Sequence, residues 1–200
     1  EGQRVIVREM RHQDLAHMRA WRPFRDPLSP LWNIGPSQRP ALLIGLGRQH
    51  HDKAQHYAIK RRSDGQIIGR LSLRDIDDRT SARLGVRLGA DFVDQGYGTE
   101  AIGLLLEYCF RTLRFERLCL DVAAVNVRAM CVYERIGFRH DGNHYRNVPA
   151  GVDLSFLKLE PYRDLRRHFR RHFGRVQLRF LDMVLERREW RDQSSKAHSL

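Results

Sequence analysis

Gly96 and Gly98, in the stretch VDQGYGTEA over residues 93–101, stand where an alternating pattern gives way to a helical one. Glycine costs a helix about 1 kcal/mol against alanine, so something must offset two of them. The first N–H groups of a helix lack intrahelical partners, and with the helix dipole they form an anion site. Glycines let an oxyanion approach that backbone with no Cβ in the way. Each such interaction is worth roughly 0.3–1 kcal/mol, and several converging on a pyrophosphate can offset both glycines. A tight turn competes with this reading, and Gly-x-Gly spacing by itself does not choose. A P-loop would need Gly-Lys-Ser/Thr, which is absent, and the third glycine of a dinucleotide fingerprint is replaced by Ala101. A second set lies at 126–138, NVRAMCVYERIGF. Asn126 is a good N-cap and Gly137 a good stop for a helix. Tyr133 within it reads from the residues alone as a core aromatic with a hydrogen-bonded hydroxyl.

Taken together and in this order, DQGYGTEA and NVRAMCVYERIGF resemble the GNAT N-acetyltransferase superfamily. The resemblance spans roughly residues 4–145 plus FLDMVLERREW, and is nearest to the branch of ribosomal-protein alanine and spermidine N-acetyltransferases. It implies acetyl-CoA as cosubstrate, no metal, and a primary amine as acceptor. By position it implies that Val86, Arg87 and Leu88 offer strand backbone to the pantetheine arm. It places Val93, Asp94, Gln95, Gly96, Tyr97, Gly98 and Thr99 around the pyrophosphate. Asn126 would orient the pantetheine or a closing loop, and Arg128 or Arg135 would touch the phosphate end. Tyr133 would protonate the leaving thiolate. Val93 departs from the pattern, which carries Gln or Arg there, so the expected grip relies on backbone N–H groups.

The acceptor amine must be neutral to attack. At pH 7 an α-amine of pKa about 8 is roughly 10% free, and a lysine-type amine near 10.4 about 0.04%. The resembled branch often places a carboxylate just before the fourth strand, where this chain has SARLG with Arg83 at the acid's position. Asp75, Asp77 and Asp78 lie nearby and read as an exposed loop. The general base is therefore unassigned, a water chain can serve, and a substrate of lower amine pKa is favoured.

Positioning these groups requires a mixed α/β domain, and the pattern supplies one. RVIVR reads as a strand, HQDLAHMRAW as a short helix, and the Pro- and Gly-rich stretch RPFRDPLSPLWNIGPSQRP as a loop or broken helix. Residues 41–52 suit a helix. HYAIKRR, SDGQ and IIGRLSLRDI make a β-hairpin, and ARLGVRLGA a further strand. TEAIGLLLEYCFRTLRF keeps helical spacing, with Glu100 near its positive end and Arg111 and Arg114 near its negative end. RLCLDVAA is a strand with Leu118, Leu120 and Val122 on one face, and FRHDGNHYR restarts extended structure. The expected fold is a GNAT-like, mostly antiparallel sheet flanked by helices, forming one domain over 1–190 with a frayed tail over 191–200.

The resembled branch turns directly into its last strand, whereas this chain inserts roughly residues 149–175. Leu165, Phe169, Phe173 and Val176 fall at helical spacing, predicting a basic helix. The pairs Arg163–Arg167, Arg166–Arg170 and Arg167–Arg171 repel on such a helix by a few tenths of a kcal/mol each. One reading is a solvated helix docked through its phenylalanines, at a homodimer interface for instance. The other is an acceptor-side lid for an anionic partner, RNA or an acidic protein. LRFLDMVLE then alternates as the last strand.

The chain has 200 residues, a formal net charge of +12 and pI near 10.4, a balance that suits anionic partners. No apolar run approaches the roughly 20 residues of a membrane span, and EGQRVIVREMRHQD lacks the apolar stretch of a signal peptide. A cytoplasmic protein without membrane contact is expected. Cys109, Cys119 and Cys131 each sit among apolar residues and read as buried free thiols. Two other functions stay open: an RNA-associated acetyltransferase acting on aminoacyl-tRNA or a ribosomal protein, and a non-catalytic nucleic-acid-binding module. Asn126 with Tyr133 has no binding-only rationale, which sets the last apart.

Overall fold

The computed structural model describes residues 1–28, 31, 54–77 and 80–191. The helix expected over 41–52, most of the Pro- and Gly-rich stretch, Asp78 and nearly all of the tail lie outside the described residues. Two compact units are present: Glu1–Pro23 with Ile34–Cys119 and Leu185–Leu200, and Phe24–Asn33 with Leu120–Val184.

The first unit carries β1 (Val5–Glu9), α1 (Asp14–Arg19), β2 (Gln55–Arg61), β3 (Ile67–Asp77) and β4 (Ser81–Leu88). It continues through α2 (Tyr97–Glu107), a π-helical turn (Tyr108–Thr112) and the start of β5 (Arg117–Ala123). Strands β1 to β4 pair antiparallel in chain order. β5 joins β4 in parallel, Ser81 opposite Arg117, the connection α2 makes possible. The β2–β3 hairpin forms where SDGQ predicts it. Gly65 takes φ +73°, and the Asp64 carboxylate accepts from the Gln66 N–H at 3.1 Å. Cross-strand register then sorts the faces. Tyr57, Leu71 and Val86 align on one, Leu73 and Leu84 beside them; Ala58, Arg70 and Arg87 align on the other. Helix α2 buries Ala101, Ile102, Leu105 and Leu106. Met10, with Leu15 and Met18 of α1, packs on Ala58, Ile67 and Trp21.

The second unit holds the end of β5, α3 (Val127–Ile136), β6 (Arg139–Asn147), β7 (Phe169–His172) and most of β8 (Arg175–Glu186). β6 and β7 pair antiparallel with β8. Gly137 stops α3 at φ +107°, as its position predicts. Ala123, Val125 and Leu178 form a core joined by Leu28, Leu31, Val148, Leu165, Phe169 and Phe180. The fold class is the expected one, a mixed and mostly antiparallel sheet with flanking helices.

Three local expectations are corrected. The basic insertion is not a long amphipathic helix: it contains two 3₁₀ turns, Ser155–Lys158 and Arg163–His168, and then strand β7. Phe173 and Gly174 both take positive φ, +44° and +71°, forming the two-residue turn of a β7–β8 hairpin. Phe173 is consequently 93% exposed rather than docked. The i,i+4 arginine repulsions penalise the helix, and on a strand Arg170 instead lies over the Tyr145 ring at 3.7 Å. Of the cysteines only Cys109 is buried, its thiol pushed up to about 12 by burial; Cys119 is half-buried and Cys131 exposed. Asp75 and Asp77 belong to strand β3 rather than to a loop, and Asp75 pairs with Arg83 at 3.4 Å.

Candidate active site

The glycine loop forms as a built feature of the first unit. A 3₁₀ turn over Ala90–Phe92 buries Phe92, Val93 runs extended, and Asp94 takes φ +59°. Gly96 then sits at the N-cap of α2 with φ +79°, a conformation that costs an L side chain about 1–2 kcal/mol. No side chain caps this helix, which leaves its first N–H groups without a side-chain acceptor, the arrangement an anion requires. Gly98 lies against Leu88 of β4, and a Cβ there would stand 3.2 Å from the Leu88 side chain. Val86, Arg87 and Leu88 close β4 immediately before the loop.

Arg4 braces this loop, which the motif does not foretell. Its Nη1 donates to the Gln95 carbonyl at 2.8 Å and its guanidinium lies 5.1 Å from the Tyr97 ring centre. Its Nε meets Glu100 at 3.0 Å, and Glu100 also accepts the backbone N–H groups of Arg4 and Val5. Burial pushes the Glu100 carboxyl up, but these hydrogen bonds hold it below its ordinary value. A Cβ on Gly96 would come within 2.8 Å of Arg4 Nη2. The loop thus has a cation beside it although position 93 is valine, supplied from a residue 92 positions earlier than Gly96.

In the second unit Asn126 caps α3, its Oδ1 accepting from the Ala129 N–H at 3.2 Å. Tyr133 is 9% exposed and packs edge-on against Phe138, ring centres 6.0 Å apart. Burial, and secondarily the Asp121 carboxylate, push its hydroxyl up to about 12. Asp121 is held by Arg146 at 2.9 Å. Arg146 Nε donates to His144 Nε2 at 3.0 Å, and His144 Nδ1 meets Asp182 at 3.0 Å. With Nε2 accepting from Arg146, the His144 ring links Arg146 to Asp182 through Nδ1. Arg128 lies over the Phe24 ring at 5.7 Å, and Arg135 is exposed. The predicted residues therefore assemble as two groups, Val86–Leu88 with Val93–Thr99 in one unit and Asn126 with Tyr133 in the other. The Asp121–Arg146–His144–Asp182 network was missed by motif reading, because it forms only once β5, β6 and β8 are built.

Among the described residues no helix is long and apolar enough to cross a membrane, and no group of three or more His, Cys, Asp or Glu is placed to hold a metal. The family model for the acetyltransferase (GNAT) domain matches residues 4–139. A probable N-acetyltransferase of Bacillus subtilis, YjcK, is 32% identical over 113 residues, 56% of this chain and 62% of that protein. A spermidine N(1)-acetyltransferase of Vibrio cholerae is 27% identical over 94 residues, 46% of this chain and 54% of that protein. The matches span less than two thirds of either relative's length. The crystal structure of spermidine N-acetyltransferase from Vibrio cholerae in complex with CoA and spermine has a TM-score of 0.69 and 17% identity, covering 94% of this chain and 98% of that one.

Proposed function

Because the chain belongs to the GNAT acetyltransferase family, we propose that it transfers the acetyl group of acetyl-CoA directly to a primary amine, with Tyr133 as the hydrogen-bond donor to the leaving sulfur. The observation that carries this reading is the uncapped start of α2, opened by Gly96 and flanked by Arg4. Its geometry fits a pyrophosphate: glycine at φ +79°, uncapped N–H groups and an adjacent guanidinium. Bound there, acetyl-CoA supplies an activated thioester. Val86–Leu88 would align the pantetheine arm along β4, and that alignment does much of the catalytic work.

The attacking amine forms a C–N bond as the C–S bond breaks and the electron pair departs with sulfur. Tyr133, held neutral far above pH 7, keeps its proton in the resting enzyme. Burial disfavours the phenolate, so the Tyr133 hydroxyl is set to donate a hydrogen bond rather than to ionise. The hydroxyl therefore acts by donating a hydrogen bond as charge builds on sulfur, and the proton released by the amine ends on the thiol. The absence of a carboxylate at Arg83, which is engaged by Asp75, favours an α-amine over a lysine-type amine.

Tyr133→Phe should lower turnover about 100-fold while leaving CoA affinity within about twofold. Equal loss of both would assign Tyr133 to packing. A second reading, an acceptor carried on RNA, is supported by the β7–β8 turn, where exposed Phe173 lies between Arg171 and Arg175 and offers a ring for base stacking. It requires RNA affinity that falls steeply with salt and weakens on Phe173→Ser.

A further inference from the structure

On the face of the sheet opposite Tyr57, Leu71 and Val86, the register lines up three arginines and a histidine. Arg70 on β3 stands directly across from Arg87 on β4, and Arg74 is two positions further along the same face of β3 than Ser72. His56 on β2 stands across from Ser72. Like charges directly opposite one another destabilise a sheet, and nothing local relieves these. Arg83, the next cation on the face, is held by Asp75, whereas no carboxylate of the described residues forms an ion pair with Arg70, Arg74 or Arg87. Arg70 Nε and His56 Nδ1 are buried atoms without a hydrogen-bond partner, a rare and costly condition in a native fold. Burial, with Arg87 and Arg74 close by, brings Arg70 down to about 10; burial lowers Arg87 as well. Burial, with Arg70 and Arg74 close by, brings His56 down to about 4. Gly85 keeps the floor of this patch open: a Cβ there would lie 2.5 Å from Ser72 Oγ and 3.9 Å from Arg74 Nε.

We propose that His56, Arg70, Arg74 and Arg87 form a binding site for a carboxylate or phosphate group carried by the amine acceptor. This rests on the acetyltransferase reading above. The site flanks β4, the strand expected to carry the cosubstrate arm, so an anion held here would fix the acceptor beside that strand. His56, Arg70 and Arg87 are half-buried with exposed Arg74 beside them, which suits a small anionic group better than the open backbone of a polymer. An acidic amine would satisfy the orphaned donors, whereas a polyamine would add charge to a patch that already repels itself.

The first test is the melting temperature in inorganic phosphate, matched in ionic strength with chloride, with and without CoA. Phosphate should stabilise the wild type in both cases. Arg70→Met and Arg74→Gln should each abolish that shift while keeping the shift caused by CoA alone. No phosphate effect beyond chloride overturns the site. Loss of the CoA shift in both variants also overturns it, since the cluster would then be reading the donor's phosphates. The second test compares acetylation of two peptides of equal length and the same N-terminal alanine, one acidic and one basic in the following positions. The acidic peptide should have a kcat/KM about tenfold higher or more, the size of one charge-assisted contact, and Arg70→Met should erase the preference. Preference for the basic peptide overturns the proposal. A protein that binds phosphate through Arg70 yet acetylates no amine keeps the anion site and overturns the acetyltransferase reading instead.

Discussion

Arg8 on β1 and Arg70 on β3 are both half-buried arginines of the first unit, and they are held in opposite ways. Arg8 meets Asp14 with two hydrogen bonds of 2.7 Å, and the Arg11 N–H completes the carboxylate's shell at 2.8 Å. Asp14 is 2% exposed, so the pair is a structural element of the β1–α1 corner. Burial pushes the Asp14 carboxyl up, but these hydrogen bonds hold it below its ordinary value. Arg70 has neighbours of its own sign and an orphaned Nε. The contrast separates charge that serves the fold from charge that awaits a ligand. The fold depends on the first kind, and the second kind costs it stability.

The largest expected effect breaks the satisfied pair. Asp14→Ala leaves Arg8 half-buried without its carboxylate and should cost about 3 kcal/mol in chemical denaturation. A loss below about 1 kcal/mol would show that the pair is decorative. In the wild type the contribution of Asp14 is complete above its unfolded pKa near 3.8 and is lost as pH falls through its lower folded value.

Gly96→Ala is next. It forces a side chain into a left-handed conformation and against Arg4, so about 1–2 kcal/mol of stability should go. CoA affinity should fall about tenfold as the loop shifts, which calorimetric titration would read. Unchanged affinity would mean that the glycine serves the turn alone.

The smallest effects lie in the unsatisfied cluster, and their direction is what matters. Arg70→Met should leave stability within about 1 kcal/mol of wild type or raise it, because a buried charge without a partner is removed. A large loss would reveal a hidden partner and erase the contrast. His56 titrates near 4 when folded and near 6.5 when unfolded, so the unfolded chain binds more protons between these values. Stability should decline as pH falls from about 6.5 to 4, and His56→Gln should remove that part of the decline.

The features that were legible in sequence are local ones. Gly96 at a helix start, Asn126 as N-cap, Gly137 as stop and the SDGQ hairpin each depend on a few consecutive residues, and each appears where expected. The features that were not legible depend on pairing across strands. Arg70 faces Arg87 only because β3 and β4 take one register, and Arg4 reaches Gln95 only because β1 begins beside α2. The insertion departs from its helical period for another reason. Its phenylalanines fit a helical period, but Phe173-Gly174 also makes a two-residue turn, and the arginine repulsions tip that balance toward the hairpin. Exposed Cys131 shows that apolar sequence neighbours do not by themselves bury a residue of an amphipathic helix.

The central claim, that the glycine-led start of α2 holds the cosubstrate, is tested most directly by titrating acetyl-CoA and following the melting temperature. At about 100 times its Kd the ligand should add about 2.7 kcal/mol, a rise of roughly 5–10 °C for a chain of this size. A melting temperature unmoved up to millimolar acetyl-CoA would contradict the account.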